Sequence, residues 1–191
     1  MSHTRPFITA FAVLLTLWCL GEFVLLRWRR AKARAAPEDA VFVQRAKLGL
    51  PLVSLLAFAG WRYVPAARFA TDETALVGFL LLALGLALRW WSILLLGRFF
   101  TIDVAVADDH RVIDTGPYRV IRHPSYTGII LGAAGFALCS GSYISASVIM
   151  IAVVLALMAR IRIEERVLSA QLGDAYRQYM SRTKRLIPGI Y

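Results

Sequence analysis

The chain has 191 residues, of which 59% are hydrophobic and only 18% charged, with a mean hydropathy of +0.62. A water-soluble domain of this size needs far more polar surface, so the composition excludes one and points to an integral membrane protein. The 22 Lys and Arg against 12 Asp and Glu give a formal charge of +10, which in a soluble chain would suggest nucleic acid, but the positions of these charges say otherwise.

A hydrocarbon core about 30 Å thick takes roughly 20 apolar helical residues to cross. The first such run goes from about Phe7 to Leu26, with Glu22 near its end, the second from about Leu48 to Val64, and the third from about Ala75 to Leu96. Between Tyr126 and Arg160 there is no Lys, Arg, Asp or Glu, and Ser140-Gly141-Ser142 interrupts the stretch. It is too long for one crossing and slightly short for two, since two take roughly 40 residues. The expectation is a tight helical hairpin with arms extended by the residues flanking it. The fold class is therefore all-α, an integral membrane protein with about five transmembrane helices.

Loop charges orient the spans, because Lys and Arg are retained on the cytosolic side. Arg27, Arg29, Arg30, Lys32, Arg34, Arg45 and Lys47 follow the first span. The second connection has only Arg62 and Arg68, offset by Asp72 and Glu73, and the hairpin turn has no charge. Arg98, Arg111, Arg119 and Arg122 follow the third span, and seven further basic residues lie from Arg160 to Arg185. An outside N-terminus and a cytosolic C-terminus satisfy the rule throughout, in a multi-pass protein that in a bacterium would sit in the inner membrane. The basic excess is mainly a topology signal, with some attraction for anionic membrane lipids. It calls for no nucleic acid.

The first run is long enough to cross and its positive cluster follows it, so it reads as an anchor and not as a cleaved signal. Cys19 and Cys139 both fall within spans, and His3, His110 and His123 are scattered, so neither a disulfide nor a metal is expected. A phosphate-binding glycine loop, an internal repeat and a low-complexity linker are all lacking. The charged, Ala-rich Arg30 to Asp39 stretch reads as a cytosolic helix or loop.

Polar, aromatic and special-geometry residues gather after Leu96, which divides the chain into an N-terminal region of transmembrane helices 1–3 (residues 1–96) and a region in which any chemistry should sit (residues 97–191). In the segment His110 to Gly128, Gly116-Pro117 marks a turn and Pro124 biases His123 toward an extended backbone. A helix therefore starts near Ser125, presenting backbone N–H groups and the His123 ring together where an anionic group is favoured. Singly, Arg119 and Arg122 read equally well as interfacial anchors.

A second cluster, Arg160 to Arg166, lies where the last span emerges. Arg160 and Glu164 are four apart and share one helix face. Surface ion pairs there are worth tenths of a kcal/mol. Arg160, however, abuts the apolar run, where a charge is costly without a partner, and a binding role is the better reading. Glu22 and Arg89 lie inside spans near their cytosolic ends, and snorkelling is expected to satisfy them. Gly78 and Gly85 on the third span and Gly128 and Gly132 on the fourth suggest close helix packing.

Taken in order, Gly116-Pro117-Tyr118-Arg119, Arg122-His123-Pro124-Ser125-Tyr126 and Gly128, then Arg160, Glu164-Glu165, Leu168, Gly173, Tyr176 and Tyr179, and finally Leu186-Ile187-Pro188, resemble the isoprenylcysteine carboxyl methyltransferase family over about residues 97 to 191. The resemblance implies an integral-membrane enzyme that uses S-adenosyl-L-methionine to methylate the C-terminal carboxylate of a prenylated cysteine. It implies a cofactor pocket facing the cytosol, closed over by the C-terminal segment, with a lateral opening for a lipophilic small-molecule or prenylated substrate from the bilayer. Carried over by position, His110, Arg111, Val112, Ile113, Tyr118, His123, Pro124, Ser125 and Tyr126 would line the cofactor, with Glu164. Arg160 would be the catalytic and substrate-binding residue. A Gln or His often found before the His110 segment is matched at most by Asp103, which is left out of the site.

These residue types agree with the chemistry. A carboxylate with a pKa near 3.5 is already ionised at neutral pH, so methyl transfer to it needs alignment and exclusion of water but no general base. A phospholipid or other small-lipid methyltransferase would keep the cofactor site but leave Arg160 without a carboxylate. Membrane sterol reductases with a similar C-terminal pattern bind NADPH, which calls for more phosphate-holding cations than Arg119 and Arg122.

Overall fold

The computed structural model describes residues 4–28, 37–69, 71–101 and 111–191. Helix α1 (Thr4–Trp28) is followed by α2 (Pro37–Tyr63), a 3-10 turn at Pro65–Ala67 and α3 (Asp72–Leu96). Short 3-10 turns at Gly97–Phe99 and Gly116–Arg119 precede α4 (Pro124–Cys139) and α5 (Tyr143–Arg182). Among the described residues there is no strand, and two isolated bridges, Arg68 with Ser142 and Ile121 with Lys184, are the extended pairings. The all-α expectation holds. His110 and Asp103 lie outside the described residues, as does most of the Ala-rich stretch after α1.

Among the described residues, α3 and α5 contain the two segments long and apolar enough to cross a bilayer, while Ala12–Leu25, Leu48–Tyr63 and Pro124–Cys139 are shorter apolar helices. Large apolar side chains such as Leu17, Phe23, Leu55, Phe58, Leu84 and Leu155 face outward. That surface is the inverse of a soluble protein's and suits lipid. The hairpin forms as expected, with α4 ending at Cys139 and Gly141 taking φ 63° in the turn. Ser142 caps α5 through the Ser145 N–H at 3.4 Å. Its two arms are unequal. Helix α4 runs for 16 residues from Pro124, about 24 Å at the α-helical rise, whereas α5 continues for 40.

Helix α3 starts on a capping box between Thr71 and Thr74, with Asp72 and Glu73 in its first turn, where the helix dipole favours acids. It packs most extensively on α4, through backbone contact at glycine. A Cβ on Gly85 would lie 2.5 Å from the Gly128 carbonyl oxygen and 2.6 Å from the Gly132 nitrogen. Without side chains at these positions the two backbones touch, as small residues permit between apolar helices. Trp90 of α3 fills the space beside Gly21 of α1, and Trp18 of α1 that beside Gly132 of α4. On the other side α2 packs on α5, where the Ser145 hydroxyl donates to the Ala57 carbonyl at 2.7 Å.

Glu22 and Arg89 do not snorkel. The Arg89 guanidinium donates to both Glu22 carboxylate oxygens, at 2.5 and 2.8 Å, and to the Ser125 hydroxyl at 2.8 Å. The packing of α1 on α3 brings the two charges together, and in an apolar layer a bidentate pair costs less than either charge stretched toward water.

Helix α5 breaks at Gly173, whose φ of 56° and ψ of −130° lie outside the helical region. An αL-side φ of this kind is open to Gly at no steric cost. The break folds residues 174–182 back toward the His-Pro turn, and the tail after Thr183 then runs beside it. Arg122 N–H donates to the Lys184 carbonyl at 2.7 Å, His123 N–H to the Arg185 carbonyl at 3.0 Å, and Lys184 N–H to the Val120 carbonyl at 3.1 Å. The Thr127 hydroxyl adds a bond to the Leu186 carbonyl at 2.9 Å.

Candidate active site

The cleft lies where the end of α3, the Gly116 turn, the start of α4 and the middle of α5 converge. Gly116 takes φ 57°, and a Cβ there would meet the Leu95 side chain at 2.5 Å, so the turn sits directly on α3. Pro117 follows, and Tyr118 is driven inward to 5% exposure. Its hydroxyl donates to the Ser92 carbonyl at 3.3 Å, and its own carbonyl accepts from the Tyr179 hydroxyl at 2.6 Å. Burial, with Glu164 adding to it, pushes the Tyr118 phenol far above its ordinary value. Burial acts the same way on Tyr176, again reinforced by Glu164, and on Tyr179. All three stay neutral hydrogen-bonding groups.

His123 stands at the N-cap of α4, and its carbonyl accepts the Tyr126 and Thr127 N–H groups at 3.0 and 3.1 Å. Its ring stacks on Tyr126 with centroids 5.5 Å apart. Tyr126 in turn donates its hydroxyl hydrogen to Glu164 Oε2 at 2.7 Å, and Glu164 Oε2 lies 3.9 Å from His123 Nδ1. Arg160, one turn before Glu164, lies over the Phe42 ring of α2, its guanidinium carbon 5.4 Å from the ring centroid.

Beside this cluster Glu165 points the other way into a buried knot. It accepts from Arg122 Nε at 2.9 Å and Arg185 Nε at 2.9 Å, and His123 Nε2 lies 3.4 Å from it. Burial raises the Glu165 pKa, but hydrogen bonds from His123, Arg185 and Arg122 outweigh it and hold the carboxyl at about 2. Arg122 also donates to the carbonyls of Met180 and Thr183. One carboxylate thus ties the His-Pro turn, the long helix and the C-terminal tail together.

Of the residues expected at the site, Val112, Ile113, Tyr118, His123, Ser125, Tyr126, Arg160 and Glu164 all line this cleft, whose space including its open mouth is about 870 Å³. Pro124 lies behind it as the fully buried first residue of α4, and Arg111 is exposed and absent from the lining. Residues not expected there complete the wall. Leu96 comes from the end of α3, Phe99, Phe100 and Thr101 from the turn after it, and Leu168, Leu172, Tyr176 and Tyr179 from α5. Arg122, which read equally well as an interfacial anchor, belongs to the wall as well. The 3-residue spacing of Tyr176 and Tyr179 after a lone Gly173 was the available signal. Nothing local marks Phe99 or Phe100, which fall just beyond the expected end of the third span.

On the adjoining face of α5 a separate apolar groove lies between α2 and α5, lined by Phe42, Val53, Phe58, Leu155 and Ala156 among others, with about 2320 Å³ of space open to the surroundings. Phe42 belongs to this groove while its ring underlies Arg160 of the cleft.

Apolar helices arranged around one aromatic and charged cleft, with a tail strapped across its rear, define an all-helical protein with a small-molecule site at the end of its long helices. The chain belongs to the isoprenylcysteine carboxyl methyltransferase (ICMT) family, whose model matches residues 76–170. It is 32% identical over 122 residues to a protein-S-isoprenylcysteine O-methyltransferase of Schizosaccharomyces pombe, an overlap of 63% of this chain and 51% of that one. It is 28% identical over 202 residues to methanethiol S-methyltransferase 1 of Bradyrhizobium diazoefficiens, covering 94% of this chain and 68% of the other. Its fold is similar to the solved structure of the eukaryotic intramembrane Ras methyltransferase ICMT, with a TM-score of 0.62 and 24% identity over 83% of this chain and 55% of that chain. The chain spans about half the length of the S. pombe relative.

Proposed function

We propose that this chain is an S-adenosyl-L-methionine-dependent carboxyl O-methyltransferase whose acceptor is the C-terminal carboxylate of an isoprenylcysteine. The observation that carries this reading is the placement of Glu164 and Arg160 one turn apart on α5, on the wall of a single cleft, with Tyr126 bonded to Glu164. Opposite charges so placed suit a cationic donor beside an anionic acceptor.

The lining fits the donor. Glu164 supplies a carboxylate for its cationic groups, and Tyr118, Tyr126 and Phe99 supply rings for its sulfonium and adenine. When bound, S-adenosyl-L-methionine provides an electrophilic methyl on sulfur. Arg160 holds the acceptor carboxylate through its planar fork and aims one oxygen, since a carboxylate with a pKa near 3.5 needs no base at neutral pH. The aromatic wall and the strapped tail exclude water. Positioning of this kind is worth roughly 7–11 kcal/mol when alignment is good. The α2–α5 groove takes the hydrocarbon tail, with Phe42 at the junction. Residues 97–191 form the catalytic region, and residues 1–96 anchor it, in a topology of about five crossings with the cleft on the cytosolic side.

A second reading has an observation of its own, the likeness to a methanethiol S-methyltransferase over 94% of the chain, which makes a small thiol the acceptor. The two acceptors differ in protonation. A thiol with a pKa near 8.5 must lose a proton, whereas the carboxylate is ionised throughout. The experiment is transfer of labelled methyl from S-adenosyl-L-methionine, by the purified protein in liposomes, to N-acetyl-farnesylcysteine and to methanethiol across pH 6 to 9. Transfer to the prenylcysteine with a flat pH profile supports the first reading. Transfer to the thiol alone, rising about tenfold per pH unit until the thiol pKa is approached, overturns it in favour of the second.

A further inference from the structure

The donor cleft has a charged group behind its wall that the reading above does not use. Arg89 is 6% exposed on α3, in the middle of apolar helix contacts, and it touches the cleft through Ser125, the second residue of α4. A guanidinium only donates, so in the 2.8 Å contact between Arg89 Nη1 and Ser125 Oγ the serine oxygen must accept. The serine keeps its own hydrogen for another partner, and Ser125 lines the cleft. The other two nitrogens of the guanidinium, Nε and Nη2, donate side by side to Glu22 at 2.5 and 2.8 Å, which fixes the plane of the fork and cancels its charge.

Resting on the donor reading above, we propose that Glu22 and Arg89 are positioning residues for S-adenosyl-L-methionine: Arg89 turns the Ser125 hydroxyl into a fixed donor toward the cleft, and Glu22 keeps the Arg89 charge from repelling the sulfonium. The neutralising role follows from distance. A full positive charge one hydroxyl behind the wall of a poorly hydrated cleft acts on any cation inside it, because the local dielectric screens it far less than water does. With Glu22 in place the cleft sees a dipole and a hydroxyl. This gives α1, from which no described residue lines the cleft, a part in donor recognition.

The test compares S-adenosyl-L-methionine with S-adenosyl-L-homocysteine, which lacks the S-methyl group and with it the positive charge on sulfur. Affinities are measured by calorimetry on the detergent-purified full chain. E22Q should weaken the sulfonium ligand at least fivefold while changing the thioether less than twofold, and E22Q/R89M, with both charges gone, should restore the wild-type ratio of the two affinities. A ratio that stays at its wild-type value in E22Q overturns the charge role, because a purely structural defect weakens both ligands alike. R89K provides an arm that does not depend on E22Q folding. It keeps the ion pair but loses the fork, so it should weaken both ligands several-fold in wild type and neither one further in an S125A background. Additive losses in the double variant overturn the positioning role. If the wild-type protein binds neither ligand, the donor reading fails and not this inference.

Discussion

Tyr126 on α4 gives its hydroxyl hydrogen to Glu164 on α5 across 2.7 Å, and this bond joins the arms of the hairpin directly over the cleft. Glu164 retains lone pairs for a ligand because a carboxylate accepts about four hydrogen bonds. E164Q is expected to reduce affinity for S-adenosyl-L-methionine by about tenfold or more, since a hydrogen bond between charged partners contributes about 1.5–3 kcal/mol. Y126F, which leaves the charge in place, should cost less. Calorimetric titration checks both, and an E164Q protein that binds as the wild type does would remove Glu164 from the donor site.

Arg160 serves the acceptor in this reading, and its effects should separate from those of Glu164. R160A is expected to lower kcat/KM for the prenylcysteine carboxylate by about 100-fold or more, the scale of losing a charge-assisted bidentate contact. Donor affinity should change less than about threefold, since no sulfonium contact is lost. Equal loss of both in parallel rate and binding measurements would refute this division.

Glu165 makes acid stability a test of the buried knot. Its folded-state pKa of about 2 lies below the ordinary 4.5. A depressed carboxylate pKa contributes stability that is complete above the unfolded value and is lost as pH falls through the folded one. The thermal midpoint of the wild type should therefore exceed that of E165Q by a constant margin above about pH 5. That margin should shrink steadily as pH falls from about 4.5 toward 2. A scanning calorimetry series in detergent checks this, and a margin independent of pH over that window would show that the carboxylate charge is not what holds the turn to the tail.

The backbone contact between α3 and α4 predicts a sharp contrast between two glycines. G85A places a methyl 2.5 Å from the Gly128 carbonyl, a backbone atom that cannot move without shifting a helix, while nothing lies within 4 Å of a Cβ at Gly49. G85A should lose about 1–3 kcal/mol, the usual cost of overpacking. G49A, in the middle of α2, should be neutral or stabilising by up to about 1 kcal/mol. Thermal midpoints measured side by side decide it.

Much of this molecule is legible along the chain because the signals are local. Apolar run length marks the helices, Ser140-Gly141-Ser142 marks the hairpin turn, and Gly116-Pro117 and His123-Pro124 mark the turns that aim Tyr118 and Tyr126. Arg160 and Glu164 fall on one helix face by spacing alone. What spacing does not reach is any contact made across the bundle. Glu22 and Arg89 stand 67 residues apart, and Arg122 and Glu165 43 apart. Each charge taken alone reads as a group seeking water. Only packing shows that it has a partner instead, because burying two charges together is tolerable when each satisfies the other and prohibitive otherwise. The return of Tyr176 and Tyr179 to the cleft likewise depends on the backbone of Gly173. Sequence determined which segments are apolar helices and where the polar and aromatic residues gather, and the tertiary structure alone decided which of those residues face one another, since partnership depends on helix crossings that no local period encodes.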